Sequence, residues 1–491
     1  MQKINRFLAK KEFTFLKRLQ KKFPEAEVFL VGGIIRDVTL GRESKDYDFV
    51  IRNVPINKLQ AWLKRQGWVD LVGKNFGVLK FIPHSSKIKD HSSRLTEPID
   101  IALPRTEHAF LTGGYRDFDV KFNPKLPIEK DLERRDFTIN ALAFDIKNKK
   151  LIDLFDGLGD IKKKRVKTVG KPSERFKEDY SRILRAIRFA CQLNFEIEKQ
   201  TWQAIKKLIN HINNQKDNHY IVPRETVAKE MAKAFIANPG RSFELFDKSG
   251  ATKELIPELL KMKGCPQPKN FHSEGDVWQH THLCLKNLSS KKFQREFSKE
   301  PLSAELVFGL IFHDLGKPYT IEKLDRLRFN NHDNISGELA GEILKRLKLS
   351  NAGVNVDHVV WLAKKHMIVT HTKHSVMRKT TIEKYFYNDQ VPGRDLLKLM
   401  FADIQATVPP NGQPDFSGYK RLEKQIADLK KITKKKKELP KKIINGHEIM
   451  KRFNLSSGPQ IGKLKNLLRE EQLKSKVKTK KQAFEFLKKH V

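Results

Sequence analysis

Short apolar runs recur from Val28 to Asp145. VFLVGG, YDFVI, GVLKFI, IDIAL, DVKF and NALAFD alternate with polar loops. They are of strand length and rich in Val, Ile and Phe, which predicts an α/β segment around one sheet. Ahead of them, residues 1–26 predict a basic amphipathic helix, and LIDLFDGLGDIKKKRV after them reads as a hairpin hinge. Beyond Phe176 the period changes: SRILRAIRFACQL, WQAIKKLI and VAKEMAKAFI carry apolar residues at helical spacing. From there to Val491 the pattern predicts helices almost throughout. The expected class is therefore α+β, a head with one small mixed sheet followed by all-helical domains. A chain of 491 residues exceeds one core. With GCPQPKN at 264–270 read as a linker, the expected division is 1–145 head, 146–263 helical neck and body, 264–420 a histidine-bearing helical domain, and 421–491 a helical tail.

Charge narrows the partners. The chain carries 97 Lys and Arg against 58 Asp and Glu, a formal charge of +39. Such a surplus attracts and steers a polyanion without specifying its sequence. Residues 421–491 hold 22 basic against 7 acidic residues, and the run KKITKKKKELPKK there reads as a solvated helix or linker that could also touch phosphates. No apolar run approaches the roughly 18 residues needed to span a bilayer, and the N-terminus lacks a leader pattern. Cys191, Cys265 and Cys284 lack disulfide or zinc-knuckle spacing, which suits a reducing compartment. The expectation is a cytoplasmic protein with no membrane partner. The oligomeric state is not written in the sequence.

Chemistry enters with VFLVGGIIRDVTLGRESKDYDFVI. A strand runs into Gly32-Gly33 and a helix begins near Ile34, so backbone N–H groups at the helix start face a possible phosphate. Arg36 can reach the same group. Asp46 and Asp48 are two apart in an extended run, which puts both carboxylates on one face. Divalent cations relieve their repulsion, and Mg²⁺ prefers such oxygen ligands. Two Mg²⁺ ions there would activate an attacking hydroxyl and stabilise a leaving pyrophosphate. Asp100, in PIDIAL, is the candidate third carboxylate.

VGGIIRD with KDYDFVI resembles the signature of polymerase-β-type nucleotidyltransferases. RRDFTINALAFD and RFKEDYSRILRAIRFA narrow the resemblance to the class of bacterial CCA-adding enzymes and poly(A) polymerases; it covers about 28–240. It implies that Arg135, Asp136 and Asn140 bind the ribose and triphosphate, a carboxylate favouring the 2′-hydroxyl and a guanidinium forking onto phosphate. It implies base choice by Glu178, Asp179 and Arg182 at the start of a helix. Cytosine and adenine both pair an amino donor with a ring-nitrogen acceptor, so a carboxylate and an arginine accept both and leave guanine and uracil unsatisfied. Arg185 and Arg188 continue that helix as candidate phosphate contacts. Arg224, Glu225 and Glu230 match a neck-stabilising helix. The stretch from Leu103 to Ala143, including Arg105 and Glu107, resembles the lead-in and flexible loop of CCA-adding enzymes. Implied substrates are tRNA, CTP and ATP, the implied product the tRNA 3′-terminal CCA; a poly(A) polymerase is the alternative.

GDVWQHTHLCL, FHDLGKP and LMFADIQAT resemble an HD phosphohydrolase. The resemblance implies His280, His313, Asp314 and Asp403 as ligands of a divalent transition metal, with His332 and His366 as candidate ligands of a second. In CCA-adding enzymes that carry it, this domain is implied to act on phosphates at RNA 3′ ends. A further alternative makes the chain chiefly such a hydrolase, its head an RNA clamp. NGHEIMKRFNLSSGPQIGKLKNLLREEQL resembles a tail segment that follows this domain in relatives.

Overall fold

The computed structural model describes residues 2–43, 46–72, 78–84, 98–109, 113–114, 118–298, 300–323, 326–368, 377–387, 392–436 and 439–491. Most of the 110–117 stretch of the expected flexible loop lies outside them, as do the side chain of Glu107 and residues 437–438 of the lysine run. The chain forms two compact units, Met1–Ile256 and Pro257–Val491.

The first unit is built on a mixed sheet. Its strands are β1 (Glu27–Val31), β2 (Asp48–Arg52), β3 (Gly67–Val72), β4 (Val78–Pro83), β5 (Ile99–Ala102), β8 (Leu142–Asp145) and β9 (Lys150–Asp153), in the order β3-β4-β5-β2-β1-β8-β9. Between β5 and β8 in sequence, β6 (Arg105–Ala109) and β7 (Phe118–Phe122) form a separate ribbon, so DVKF leaves the main sheet. β2 pairs in parallel with β5 and antiparallel with β1. Alternation gives β1 and β2 two buried faces. Phe29, Val31 and Val50 pack with Ile128 and Leu132 of α5 (Ile128–Glu133). On the other face Phe49 meets Phe13 and Phe15. The α+β expectation holds.

The remaining helices of this unit are α1 (Gln2–Leu8), α2 (Thr14–Lys22), α3 (Gly33–Leu40), α4 (Ile56–Gln66), α6 (Gly157–Lys162), α7 (Pro172–Glu178), α8 (Ser181–Leu193), α9 (Lys199–Leu208), α10 (Arg224–Ala237), α11 (Pro239–Ser249) and α12 (Ala251–Leu255). Three expectations need correction. Residues 1–26 are two helices: the backbone is extended at Lys10, and Phe7 and Phe13 on either side of the break both pack on Tyr47. The supposed hairpin hinge is a strand entering a helix, because the Asp153 carboxylate accepts from the N–H groups of Gly157 and Leu158 at 2.7 and 2.9 Å. A Cβ on Gly157 would lie 2.3 Å from the Thr138 carbonyl oxygen, so only glycine fits there. Third, Glu178 closes α7 and Arg182 lies in the first turn of α8. Asp179 between them is extended, φ −154° and ψ 104°, with its carboxylate accepting from the Ser181 N–H at 2.8 Å.

The second unit contains α13 (Val277–Asn287), α14 (Lys291–Glu296), α15 (Ala304–Phe312), α16 (Lys317–Thr320), α17 (His332–Arg346), α18 (Val356–Lys365), α19 (Lys379–Phe386), α20 (Gly393–Ala406), α21 (Ser417–Lys436), α22 (Gly446–Phe453), α23 (Pro459–Leu473) and α24 (Lys480–Lys488). The apolar run 306–312 is fully buried in α15, as its lack of polar positions requires. The last three helices close a small core of Ile449, Ile461, Leu464, Leu468 and Leu487. Residues 264–270 are packed, not a free linker: the Cys265 carbonyl accepts from the Val277 N–H at 3.1 Å and Gln267 is buried. No helix among the described residues is long and apolar enough to cross a membrane.

Candidate active sites

The first site gathers where β1, β2 and β5 end. Strand alternation sends Tyr47, Phe49 and Ile51 to one face and Asp46, Asp48 and Val50 to the other. Tyr47 is anchored by its contacts with Phe7 and Phe13, at ring distances of 5.7 and 5.3 Å. Register places Asp100 directly beside Asp48, and Lys80 reaches Asp100 at 3.0 Å. Burial, together with Asp100 and Asp46, outweighs Arg135 and Lys80 and pushes the Asp48 carboxyl up to about 6. A carboxyl so displaced from its ordinary range is a site short of positive charge, which a divalent cation would supply.

Opposite it, Gly32 follows β1 at φ +82° and ψ −146°. A Cβ there would stand 2.8 Å from Arg135 Nη1 and 3.4 Å from Asp48 Oδ2. The turn therefore leaves a gap between guanidinium and carboxylate. Arg135 Nη1 donates to the Asn140 carbonyl at 3.2 Å, while its buried Nε has no partner among the described residues. Arg36 is buried, donating to Asn140 Oδ1 at 2.6 Å and to both oxygens of Asp37 at 2.9 and 3.0 Å.

From there a polar chain enters the neck. Asn140 Nδ2 donates to Asp136 Oδ1 at 3.1 Å. Asp136 Oδ2 receives both Nε and Nη2 of Arg185, at 2.9 and 2.6 Å. Against the cost of burial, Arg185 and Asn140 hold the Asp136 carboxyl well below the usual range. Arg188 donates to Glu230 of α10 at 2.5 Å and lies 4.0 Å over the Phe189 ring. Arg185 and Arg188 are thus held by carboxylates. Arg182 donates to Glu178 at 2.6 Å, and Arg175 donates to the same oxygen at 2.9 Å. Arg182 thus pairs with Glu178, while the helix break turns Asp179 onto the Ser181 N–H.

The second site lies within 257–491. His280 (α13), His313 and Asp314 (after α15), His332 (α17), His366 (after α18) and Asp403 (α20) converge, all buried or nearly so. His280 Nε2 is 2.9 Å from Asp403 Oδ1, and His313 Nε2 is 3.3 Å from Asp314 Oδ2. The other oxygen of Asp314 stands 3.5 Å from His332 Nε2 and 3.6 Å from His366 Nε2. Each ring is fixed through its far nitrogen. Nδ1 faces the Leu310, Phe329 and Ala363 carbonyls in His313, His332 and His366, and Glu274 in His280. A carbonyl only accepts, so those three Nδ1 atoms carry a proton and turn Nε2 toward the centre. His332 and His366 Nε2 are only 3.3 Å apart, and His313 Nε2 is buried with no hydrogen-bond partner among the described residues. Burial and His313 push His366 down to about 3, so it stays neutral. Imidazole Nε2 atoms converging with the Asp314 and Asp403 carboxylates are a donor set that fits a metal cation.

Relatives share this architecture. The Poly A polymerase head domain family matches residues 28–167, and a probable RNA- and SrmB-binding site of polymerase A matches 194–262. A multifunctional CCA protein of Nitrosococcus oceani is 34% identical over 60% of this chain and 64% of its own length. One from Methylobacillus flagellatus is 33% identical over 66% of this chain and 70% of its own length. The chain belongs to the multifunctional CCA protein family. Its match spans slightly under two thirds of the first of these relatives and slightly more than two thirds of the second. Among solved structures, the Bacillus stearothermophilus CCA-adding enzyme in complex with CTP covers 96% of both chains at 19% identity and a TM-score of 0.60. The Thermotoga maritima CCA-adding enzyme complexed with tRNA aligns over 98% of this chain at 18% identity and a TM-score of 0.59. They share the fold.

The structure adds residues to these sites that motif reading passed over. In the family head, Lys80 and Asp131 hold Asp100, Arg134 and Arg135. At the histidine centre, Cys284 Sγ is 3.4 Å from His280 Nε2 and belongs with His280, His313 and Asp403 in one metal-sized group. Its position one helical turn after His280 was the available signal. Glu274 accepts from His280 and lies against His272 at 2.6 Å; Lys317 donates to Asp314 at 2.7 Å.

Proposed function

We propose that this chain adds or repairs the 3′-terminal CCA of tRNA from CTP and ATP, without a nucleic-acid template, and clears phosphates from RNA 3′ ends at its second site. The observation that carries the first activity is the register of Asp48 beside Asp100, facing the gap that Gly32 leaves against Arg135. Asp46, Asp48 and Asp100 would hold Mg²⁺, which supplies charge neutralisation at the attacking and leaving oxygens. Gly32, Gly33 and Arg135 then seat the triphosphate, with Arg36 and Asn140 bracing that wall. Asp136 faces the ribose, turned and kept ionised by Arg185. Asp179 accepts from the amino group common to C and A, and Arg182 donates to the adjacent ring nitrogen, its plane steadied by Glu178. A base with a carbonyl and an N–H in those places leaves both partners unsatisfied, costing about 1–3 kcal/mol each. Arg188 and Glu230 tie α8 to α10 behind this wall.

Domain roles follow the sequence division: a transferase head to 145, a neck and body to 263 that chooses the base and binds RNA, a hydrolase domain to 420, and a basic tail. The second activity rests on the converging Nε2 atoms. His280, His313, Asp314 and Asp403 would hold a transition metal and His332 and His366 with Asp314 a second, supplying an activated water for phosphoester hydrolysis.

The deciding experiment is extension of a tRNA lacking its last three nucleotides, with Mg²⁺ and with CTP and ATP separately and together, read by product length. Three added nucleotides, then arrest, is the expected result. A long A ladder would make the chain a poly(A) polymerase; no extension would reduce the head to an RNA clamp.

A further inference from the structure

Residues 264–270, whose prolines suggest a spacer, contribute a side chain to the histidine centre. Gln267 is 4% exposed. Its Oε1 accepts from Lys317 Nζ at 2.8 Å, and the same ammonium donates to Asp314 Oδ2 at 2.7 Å. Gln267 therefore lies one ammonium away from the carboxylate shared by both ligand groups. Its orientation is set: exchanging the amide oxygen and nitrogen would turn two donors toward a cation. The Nε2 thus points elsewhere, and it is buried with no hydrogen-bond partner among the described residues.

A buried amide donor left unpaired is costly, and native structures keep few of them without a ligand or water to fill the vacancy. An ammonium has three N–H groups, of which Asp314 and Gln267 take two. The remaining donors, two on Gln267 and one on Lys317, suit a tetrahedral oxyanion. Any metal bound by Asp314 would draw that carboxylate's charge from Lys317 and free the ammonium for an anion. The Asp403 side chain, 22% exposed, opens the centre toward solvent.

We propose that Gln267 and Lys317 form the seat for the phosphate processed at the histidine centre, holding the non-reacting oxygens of a monoester or cyclic diester at an RNA 3′ end. The proposal rests on the hydrolase reading above for its substrate, but the anion seat is testable without turnover. Inorganic phosphate binding to the metal-loaded full chain would be measured by calorimetry, beside KM and kcat on RNA ending in a 3′- or 2′,3′-cyclic phosphate. Metal content and melting temperature serve as controls. Q267A is expected to weaken phosphate binding about tenfold, the share of one charge-assisted hydrogen bond. Q267E, which adds a negative charge, is expected to weaken it further, with KM rising in step and kcat changing much less. Phosphate affinity within twofold of wild type in both variants overturns the proposal, as does a loss that only tracks lost metal. If the wild type hydrolyses no phosphate-ended RNA with any divalent metal but binds phosphate in a Gln267-dependent way, the hydrolase reading falls and the seat stands.

Discussion

Replacing Gly32 with alanine tests the proposed transferase site at the gap between Arg135 and Asp48. The substitution meets two costs. The first is conformational: φ +82° with ψ −146° is backbone that side-chain-bearing residues hardly enter, at about 1–3 kcal/mol. The second is steric, since the new methyl would lie 2.8 Å from Arg135 Nη1. That guanidinium must move away, forfeiting the contact with the triphosphate proposed for it. A charge-assisted hydrogen bond of this kind contributes about 1.5–3 kcal/mol, or roughly 10- to 150-fold in turnover. Gly33 supplies the comparison: its φ is ordinary, and a Cβ there meets the movable end of Arg36 at 3.2 Å. Single-turnover addition of one C to a tRNA lacking CCA, with thermal melting alongside, gives both quantities. G32A should lose at least tenfold in rate and melt several degrees lower, at about 2–4 °C per kcal/mol; G33A should lose far less. Equal rates for G32A and wild type would show that the Gly32–Arg135 gap is not where the triphosphate sits.

The other predictions concern both units. D48N should abolish nucleotide addition while a filter-binding assay still detects tRNA, and surviving addition would remove Asp48 from the metal site. R182A should let GTP and UTP compete with CTP and ATP; unchanged selectivity in a four-nucleotide incorporation assay would place base choice elsewhere. D314A should leave addition intact and eliminate both bound transition metal and 3′-phosphate hydrolysis, so retained metal by elemental analysis would refute the ligand assignment. Glu423 is raised to about 7, by burial and then by its contact with Glu296. A carboxyl raised in the folded state binds protons that the unfolded chain has released. Its stabilisation is complete below the unfolded value near 4.5 and fades as pH rises through 7. The melting temperature of the second unit should fall across that window in wild type and not in E423Q; identical slopes would count against the coupling.

Much of the proposed transferase site could be assembled from the sequence because its residues lie close together on regular elements. Asp46 and Asp48 share a strand face by alternation alone, and the GG turn, common in ordinary strand–helix connections, gains its meaning from the two aspartates that follow it. Asp100 was harder, since only the β2–β5 register brings it beside Asp48. The helix break at Asp179 was hidden because EDYSR is acceptable helical sequence; the structure instead uses the Asp179 carboxylate as a local acceptor, a competition between side chain and backbone that composition does not disclose. The histidine ligands could be matched to motifs, but what orients them could not: the Leu310, Phe329 and Ala363 carbonyls are anonymous in sequence. Gln267 was misplaced for a different reason. Proline and glycine announce a turn, and a turn is usually solvated, yet this one is pinned by the Val277 N–H and by Asp276.

The bidentate contact of Asp136 with Arg185 fastens the first part of the chain to α8, and the Asp153 cap stiffens the segment expected to hinge. Between one nucleotide and the next, then, the pocket has little freedom to travel. In the proposed reaction the moving part would be the RNA, its terminus withdrawing by one step after each addition and reseating against walls that stay put. Under that constraint, counting to three becomes a question of slack, of how much single strand can be gathered before the terminus no longer comes back to the same place.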